Sequence, residues 1–378
     1  MVRPSSILYL AIACLVAIAA AVAINSRSPA FTGSTGGQLL FPGLDAKIND
    51  AARITVTGGG HTLVVERGDK GWRLVSKEGY PAKLDIVKQT LLGLAQERTV
   101  EAKTAEPTFY PRLEVEDAAG KDAHSALLTV TDAKGVTLAS LILGKAHPGH
   151  GGNGPQQLYV RKPDEARAWL AEGPLERNED WKSWIDGAIL ALDRDAIAEV
   201  DVAPAAAKPD DKPYRLTHDK PGESDFALQD VPADQKVKDE TAVNGIAAAL
   251  TALKLDGVMA AKSLKPDAKL LRKLTFRRFD GLIVEIEEYG QDGKDWFKFA
   301  ARYAPPASAP APVPAAPAKP ALAKPDDNAK AKVDADDIAA RTRGWLYLLP
   351  PSDAAVLDTK LSDLLEPKAP PPPAKPKG

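Results

Sequence analysis

The stretch RITVTGGGHTLVVER, residues 53–67, decides how the chain is read. Two runs rich in β-branched residues, Arg53–Thr57 and Thr62–Arg67, flank Gly58-Gly59-Gly60, which is the pattern of an antiparallel hairpin. A third strand is expected at Trp72–Ser76, after the turn Gly68-Asp69-Lys70-Gly71. The apolar period then changes from two residues to that of a helix, at Leu84, Val87, Leu91 and Leu94, with Pro81 placed to open it. Two further strands, Ala126–Asp132 and Val136–Leu143, are joined by Ala133-Lys134-Gly135, and Leu158–Arg161 gives a short last strand. Sheet with a covering helix makes this an α+β body.

A similar order returns further along. Tyr214–Thr217 and Asp225–Gln229 read as strands, and Val231-Pro232-Ala233-Asp234 leads into a helix carrying Val243, Ile246, Leu250 and Leu253, as Tyr80-Pro81-Ala82 leads into the first. Leu274–Phe279, Asp280-Gly281 and Leu282–Glu287 repeat the strand–turn–strand, and Trp296–Tyr303 repeats the last strand. The offset of roughly 150 residues is far above solenoid or propeller periods, so it implies two related modules. Between them lie Trp181, Trp184, Ile185, Ile189, Leu190 and Leu192, then a strand at Ile197–Val202. Two tryptophans three residues apart share a helix face and bury much apolar area. Trp181 and Trp184 are expected to bridge the modules and are the candidate ligand or interface residues.

Upstream, Ile7–Ile24 runs for 18 residues without a charged side chain. As a helix it spans roughly 27 Å, close to the hydrocarbon thickness of a bilayer. Ala21-Val22-Ala23 resembles a signal-peptidase site, but the run exceeds the apolar core of about 7–15 residues usual in such peptides. Residues 1–25 are therefore expected to be a retained transmembrane anchor and 26–38 a flexible spacer. The first module is set at 39–180, the bridging segment at 181–202 and the second module at 203–366. An Ala/Pro/Lys-rich insertion, 304–332, and a Pro-rich tail, 367–378, hold 14 of the 32 prolines; both are expected to be disordered.

Composition narrows the function. The 378 residues are 44% hydrophobic, enough for a real core, and carry a net charge of −2. Without clustered Lys and Arg to neutralise phosphates, nucleic acid is excluded as a partner. Cys14, inside the apolar run, is the sole cysteine, so the body can form neither a disulfide nor a thiolate zinc cage. Gly149-His150-Gly151-Gly152-Asn153-Gly154 fits G-x-G-x-x-G, but Pro155 and a strand follow it instead of the helix a dinucleotide loop must open. His147 and His150 lie on that glycine-rich loop, which gives a metal little rigid geometry. Asp193 and Asp195 flank Arg194 in a polar turn, and strand alternation puts Glu285 and Glu287 on one solvent-facing side. No catalytic, cofactor-binding or metal-ligating set is expected, and the protein is read as not an enzyme.

The order of several segments carries a resemblance. Phe41-Pro42-Gly43-Leu44, Gly71-Trp72-Arg73-Leu74 and Tyr80-Pro81-Ala82 precede the Leu-rich helix; Tyr159-Val160-Arg161, the Trp181–Leu192 segment and Gly344-Trp345-Leu346-Tyr347 follow it. In that order, over residues 39–366, the chain resembles bacterial proteins carrying the domain of unknown function numbered 4340. The resemblance implies a single-pass protein of the inner membrane with its body in the periplasm, often encoded beside gliding-type ABC transporter components. It implies a non-enzymatic accessory subunit of an ABC-type transport or cell-envelope complex, partnered by the cytoplasmic membrane and a transporter membrane subunit. The alternative is a periplasmic module that binds glycan or peptide. The resemblance carries over no catalytic residue, and the 304–332 insertion departs from the family pattern.

Overall fold

The computed structural model describes residues 37–120, 122–148, 156–206, 208, 211–222, 225–305 and 325–367. The expected anchor, most of the spacer, the glycine-rich loop 149–155 and all but the first residue of the tail lie outside these. No helix among the described residues is long and apolar enough to cross a membrane. The described residues divide into two compact units: the first takes in those up to Leu74 and those of Pro81–Trp184, the second those of Val75–Tyr80 and those from Ile185 onward.

The first unit is built on β1 (Ala51–Gly58), β2 (His61–Gly68), β3 (Gly71–Leu74), β4 (Tyr80–Pro81), α1 (Leu84–Gln96), β5 (Arg98–Ala102), α2 (Tyr110–Leu113), β6 (Ala126–Asp132), β7 (Thr137–His147), β8 (Gln157–Arg161) and β9 (Ala168–Glu172). Its nine-stranded sheet runs β4-β3-β2-β1-β6-β7-β8-β9-β5. The hairpin read from residues 53–67 is present, with Ile54 opposite Val65 and Val56 opposite Leu63. Its turn, Gly59-Gly60, has both φ angles positive, +56° and +77°, which two-residue hairpin loops demand. β7 buries Leu141, Ile142 and Leu143 consecutively, so both faces of the sheet are covered there. On one face Ile142 joins Tyr110, Val115, Tyr159, Ala168 and Leu170 in a common cluster. Gly144 is forced by this packing, because a Cβ there would collide with the Leu113 carbonyl oxygen and stand 2.9 Å from that of Tyr159.

The second unit contains β10 (Ala188–Leu190), β11 (Ile197–Pro204), β12 (Tyr214–Thr217), β13 (Ala227–Leu228), α3 (Glu240–Ala248), β14 (Leu253–Lys254), β15 (Gly257–Ala260), β16 (Lys269–Arg278), β17 (Leu282–Gln291), β18 (Lys294–Tyr303), α4 (Pro325–Thr342), β19 (Trp345–Leu348), α5 (Pro351–Leu357) and α6 (Leu361–Leu364). Eight strands form one sheet, β13-β12-β11-β16-β17-β18-β19-β15, while β10 and β14 pair separately. Apart from β4, this is the strand order of the first sheet, with β1–β3 answering to β11–β13, β6–β9 to β16–β19 and β5 to β15. Inward residues of β16–β18, such as Leu274, Phe276, Val284, Ile286, Phe297 and Phe299, are buried. The outward side carries paired charges instead: Glu285 with Arg302, and Glu287 with Lys273 and Lys298.

The architecture is mainly antiparallel sheet with some helices, and several elements differ from the sequence reading. Leu158–Arg161 is not the last strand, because β9 follows and pairs with β5 at the sheet's edge. Both strands are short and rich in Ala and Glu, poor strand formers, so their state is decided by their neighbours. The second helix stops at Ala248; Leu253, read as its last apolar position, pairs with Leu190 in β14. Asp225–Gln229 shrinks to β13. The C-terminal end forms two short helices, α5 and α6, separated where the Thr359 carbonyl accepts from Tyr214 and Arg272. The insertion expected to be disordered through Lys332 gives way to α4 at Pro325. Proline fits the first helical turn, and the helix-compatible residues after it contain no further proline.

Candidate functional site

Trp181 and Trp184 fall on a short 3₁₀ turn, not an α-helix. Trp184 is fully buried in the first unit; its indole N–H donates to the Asn178 carbonyl at 3.0 Å, and its own carbonyl accepts from Lys83 N–H at 2.7 Å. Trp181 is half-buried, with the Lys182 ammonium 6.0 Å from its ring centroid. The pair therefore offers no joint stacking face, and Trp184 acts as a core side chain.

The described histidines do not converge. His61 contacts the Gly59 and Glu179 carbonyls, each at 3.2 Å, and His124 stands 3.9 Å from the Glu116 carboxylate. His218 is buried and stacked on Phe226 at 4.3 Å. His147 meets the Tyr159 ring edge-on at 5.6 Å, while His150 lies outside the described residues. Among the described residues no three His, Cys, Asp or Glu side chains gather as metal ligands. The strands on either side of the glycine-rich loop, β7 and β8, pair antiparallel. Asp193 caps the backbone N–H of Asp195, and Asp195 holds Arg194, so that turn satisfies itself.

The concentrated electrostatics lie elsewhere. In the first unit Glu97, just past α1, is 1% exposed. Burial pushes its carboxyl up to about 8; the Leu175 backbone N–H opposes this and the Glu172 charge adds to it. One of its oxygens has no hydrogen-bond partner among the described residues. In the second unit Arg272 and Glu288 lie opposite each other on β16 and β17, each side chain 2% exposed. The Arg272 guanidinium reaches Asp211 at 3.2 Å and Asp358 at 3.1 Å, and donates to the Thr359 carbonyl at 2.8 Å. Burial and the Asp358 and Asp295 charges raise Glu288 to about 7, against the pull of Arg272. By contrast Glu287, on the outer face, is lowered to about 2: hydrogen bonds from Lys273, Tyr289 and Lys298 outweigh its burial.

The sequence reading leaves Glu97, Arg272 and Glu288 out of its candidate sites, yet a signal for the last two is present. Glu288 shares strand parity with Val284 and Ile286, and Arg272 with Leu274 and Phe276. Alternation alone places both charges on the core side. The second unit also holds a cleft of about 480 Å³, with Leu190, Leu192 and Ile338 beside Lys330, Asp337 and Arg341. Such a volume suits a small ligand.

Residues 72–273 match the model of a family described as Domain of unknown function (DUF4340). The match begins in β3 and ends in β16, so it takes in parts of both units. No curated protein and no solved structure matches the chain.

Proposed function

The chain belongs to the DUF4340 family, and on that premise we propose that it is a non-enzymatic, membrane-anchored accessory subunit of an ABC-type transport or envelope complex, with its body in the periplasm. The observation that carries this reading is how the body begins. The uncharged run Ile7–Ile24 is followed by a short spacer, and the chain from Gly37 lies along the edge strand β5. Gly37 N–H donates to the Thr99 carbonyl at 2.6 Å, Thr99 N–H to that of Gln38 at 2.9 Å, and Leu40 N–H to that of Glu97 at 2.9 Å. The Arg98 guanidinium closes on the Gly37 carbonyl at 2.6 Å. A segment bonded in this way to an edge strand holds the start of the body by several backbone bonds at once and covers an otherwise open edge. The matching strand orders support two related modules that arose by duplication.

Purification of the full chain in mild detergent tests the role, with a transporter membrane subunit expected to co-purify. A preparation that never brings one down argues against the accessory role. Recovery of the intact chain, residues 1–25 included, as freely soluble cytosolic protein would remove the location as well.

A second reading, a periplasmic module for peptide or glycan, is favoured by the cleft in the second unit. Thermal-shift screening against cell-wall fragments, with R341A as the control, separates it from the first. Stabilisation of the wild type that R341A loses supports it.

A further inference from the structure

Arg272 gathers three carboxylates from three separate places in the second unit: Asp211 before β12, Glu288 on β17 and Asp358 after α5. They differ in their access to water, since the Glu288 side chain is 2% exposed and that of Asp358 is 56% exposed. The Thr359 carbonyl accepts from the guanidinium and from the Tyr214 hydroxyl, both at 2.8 Å. The turn after α5 is therefore fastened to the sheet by one carbonyl and one exposed carboxylate. Arg272 Nε and Glu288 Oε2 face each other at 3.9 Å, and each is buried without a hydrogen-bond partner among the described residues. That gap is too long for a hydrogen bond. Two acids thus compete for one cation, Asp358 from the solvent side and Glu288 from within.

We propose that this cluster is a proton-controlled latch on the C-terminal segment 358–366. With Glu288 neutral, Asp358 and the Thr359 carbonyl stay on Arg272. With Glu288 ionised, its carboxylate closes on Nε, three anions surround one cation, and Asp358 leaves because water can rehydrate it at least cost. The groups facing Glu288 are Arg272 from β16, Asp295 from β18, Asp211 from the loop before β12 and Asp358 from the turn after α5. Burial raises Glu288 to about 7, so the latch is closed below that pH and loosens above it. The rest of the segment is held by Lys238 N–H on the Leu364 carbonyl at 2.8 Å and Glu366 N–H on that of Lys236 at 2.9 Å. Release therefore starts at the Asp358 end. This inference does not depend on the transport role.

Hydrogen exchange of the full chain in mild detergent, at about pH 6 and about pH 8.5 with the intrinsic chemical rate divided out, tests the latch. Protection of 358–366 is expected to drop roughly tenfold at the higher pH while β16 and β17 keep theirs, a change of one pKa unit's worth of linkage. E288Q should hold the segment protected at both pH values. D358N should also abolish the response, because the exposed carboxylate that leaves on ionisation of Glu288 is then gone, and it serves where E288Q folds poorly. E97Q should leave the response intact, separating the two buried acids. Protection of 358–366 that ignores pH in the wild type, or a pH response that survives in a folded E288Q or D358N, overturns the latch.

Discussion

In the first unit Glu97 is buried and, among the described residues, no cation pairs with it; in the second, Glu288 is buried equally deeply across the strand from Arg272. Burial raises both, Glu97 to about 8 and Glu288 to about 7. A cation on the neighbouring strand therefore does not make Glu288 an ordinary carboxylate, because Asp358 and Asp295 add negative charge around it and Asp211 already shares its cation. What a buried acid does depends on the whole charge cluster and not on the nearest partner. Both folded-state values lie above the value of 4.5 for a free glutamate, so between 4.5 and about 7–8 the folded protein holds protons that the unfolded chain has lost. The stability these groups contribute is complete below about 4.5 and is lost as pH rises through the folded values.

Removing the cation should give the largest effect. R272A strands three carboxylates in or near the core and is expected to destabilise the second unit by about 3–5 kcal/mol, read from denaturant midpoints. R272M/E288L should recover most of that loss. A double variant as unstable as R272A would mean that the guanidinium is needed for more than its charge.

Next comes Glu97. Wild-type stability of the first unit should fall by a few kcal/mol, roughly, between pH 5 and pH 8.5, and E97Q should remove most of that slope while changing little at pH 5. Equal slopes in wild type and E97Q would break the comparison, because Glu97 would then be no more strained than an exposed glutamate.

A third variant asks whether packing matters as much as charge. G144A drives a Cβ into backbone on two sides and should lower first-unit stability by about 1–3 kcal/mol, with no pH dependence. The smallest effect belongs to the outer face of the second sheet. R302A breaks an ion pair with Glu285 at 3.1 Å between two half-exposed side chains and should change stability by less than about 0.5 kcal/mol. A larger loss would show that the outer charges are not simply solvated.

Much of the fold was legible in the residues. The hairpin at 53–67, the helix carrying Val87, Leu91 and Leu94, and the strands at 126–132 and 282–287 announce themselves, because their apolar period matches the face they bury. The edge strands β5 and β9 do not, since Arg-Thr-Val-Glu-Ala and Ala-Trp-Leu-Ala-Glu have no strong preference of their own. The helix of α4 was hidden by the Ala/Pro/Lys composition just before it. Trp184 stands out in the sequence for its size, but size alone does not distinguish a core tryptophan from a binding platform. Glu288 adjoins the outward Glu287 in the chain, and its parity sets it on the opposite face.

By itself the sequence determined the α+β class, the near-repetition of one strand–helix order, the single cysteine and the family, because periodicity, composition and motif order are properties of the chain. Only the tertiary structure decided that both sheets share one strand order, that β5 and β9 close the first, and that Asp211, Arg272, Glu288 and Asp358 meet. Those residues are separated by up to 147 positions, from Asp211 to Asp358. No local pattern fixes such a meeting, since pairing distant strands and desolvating a charge are decided by every neighbour the fold brings in.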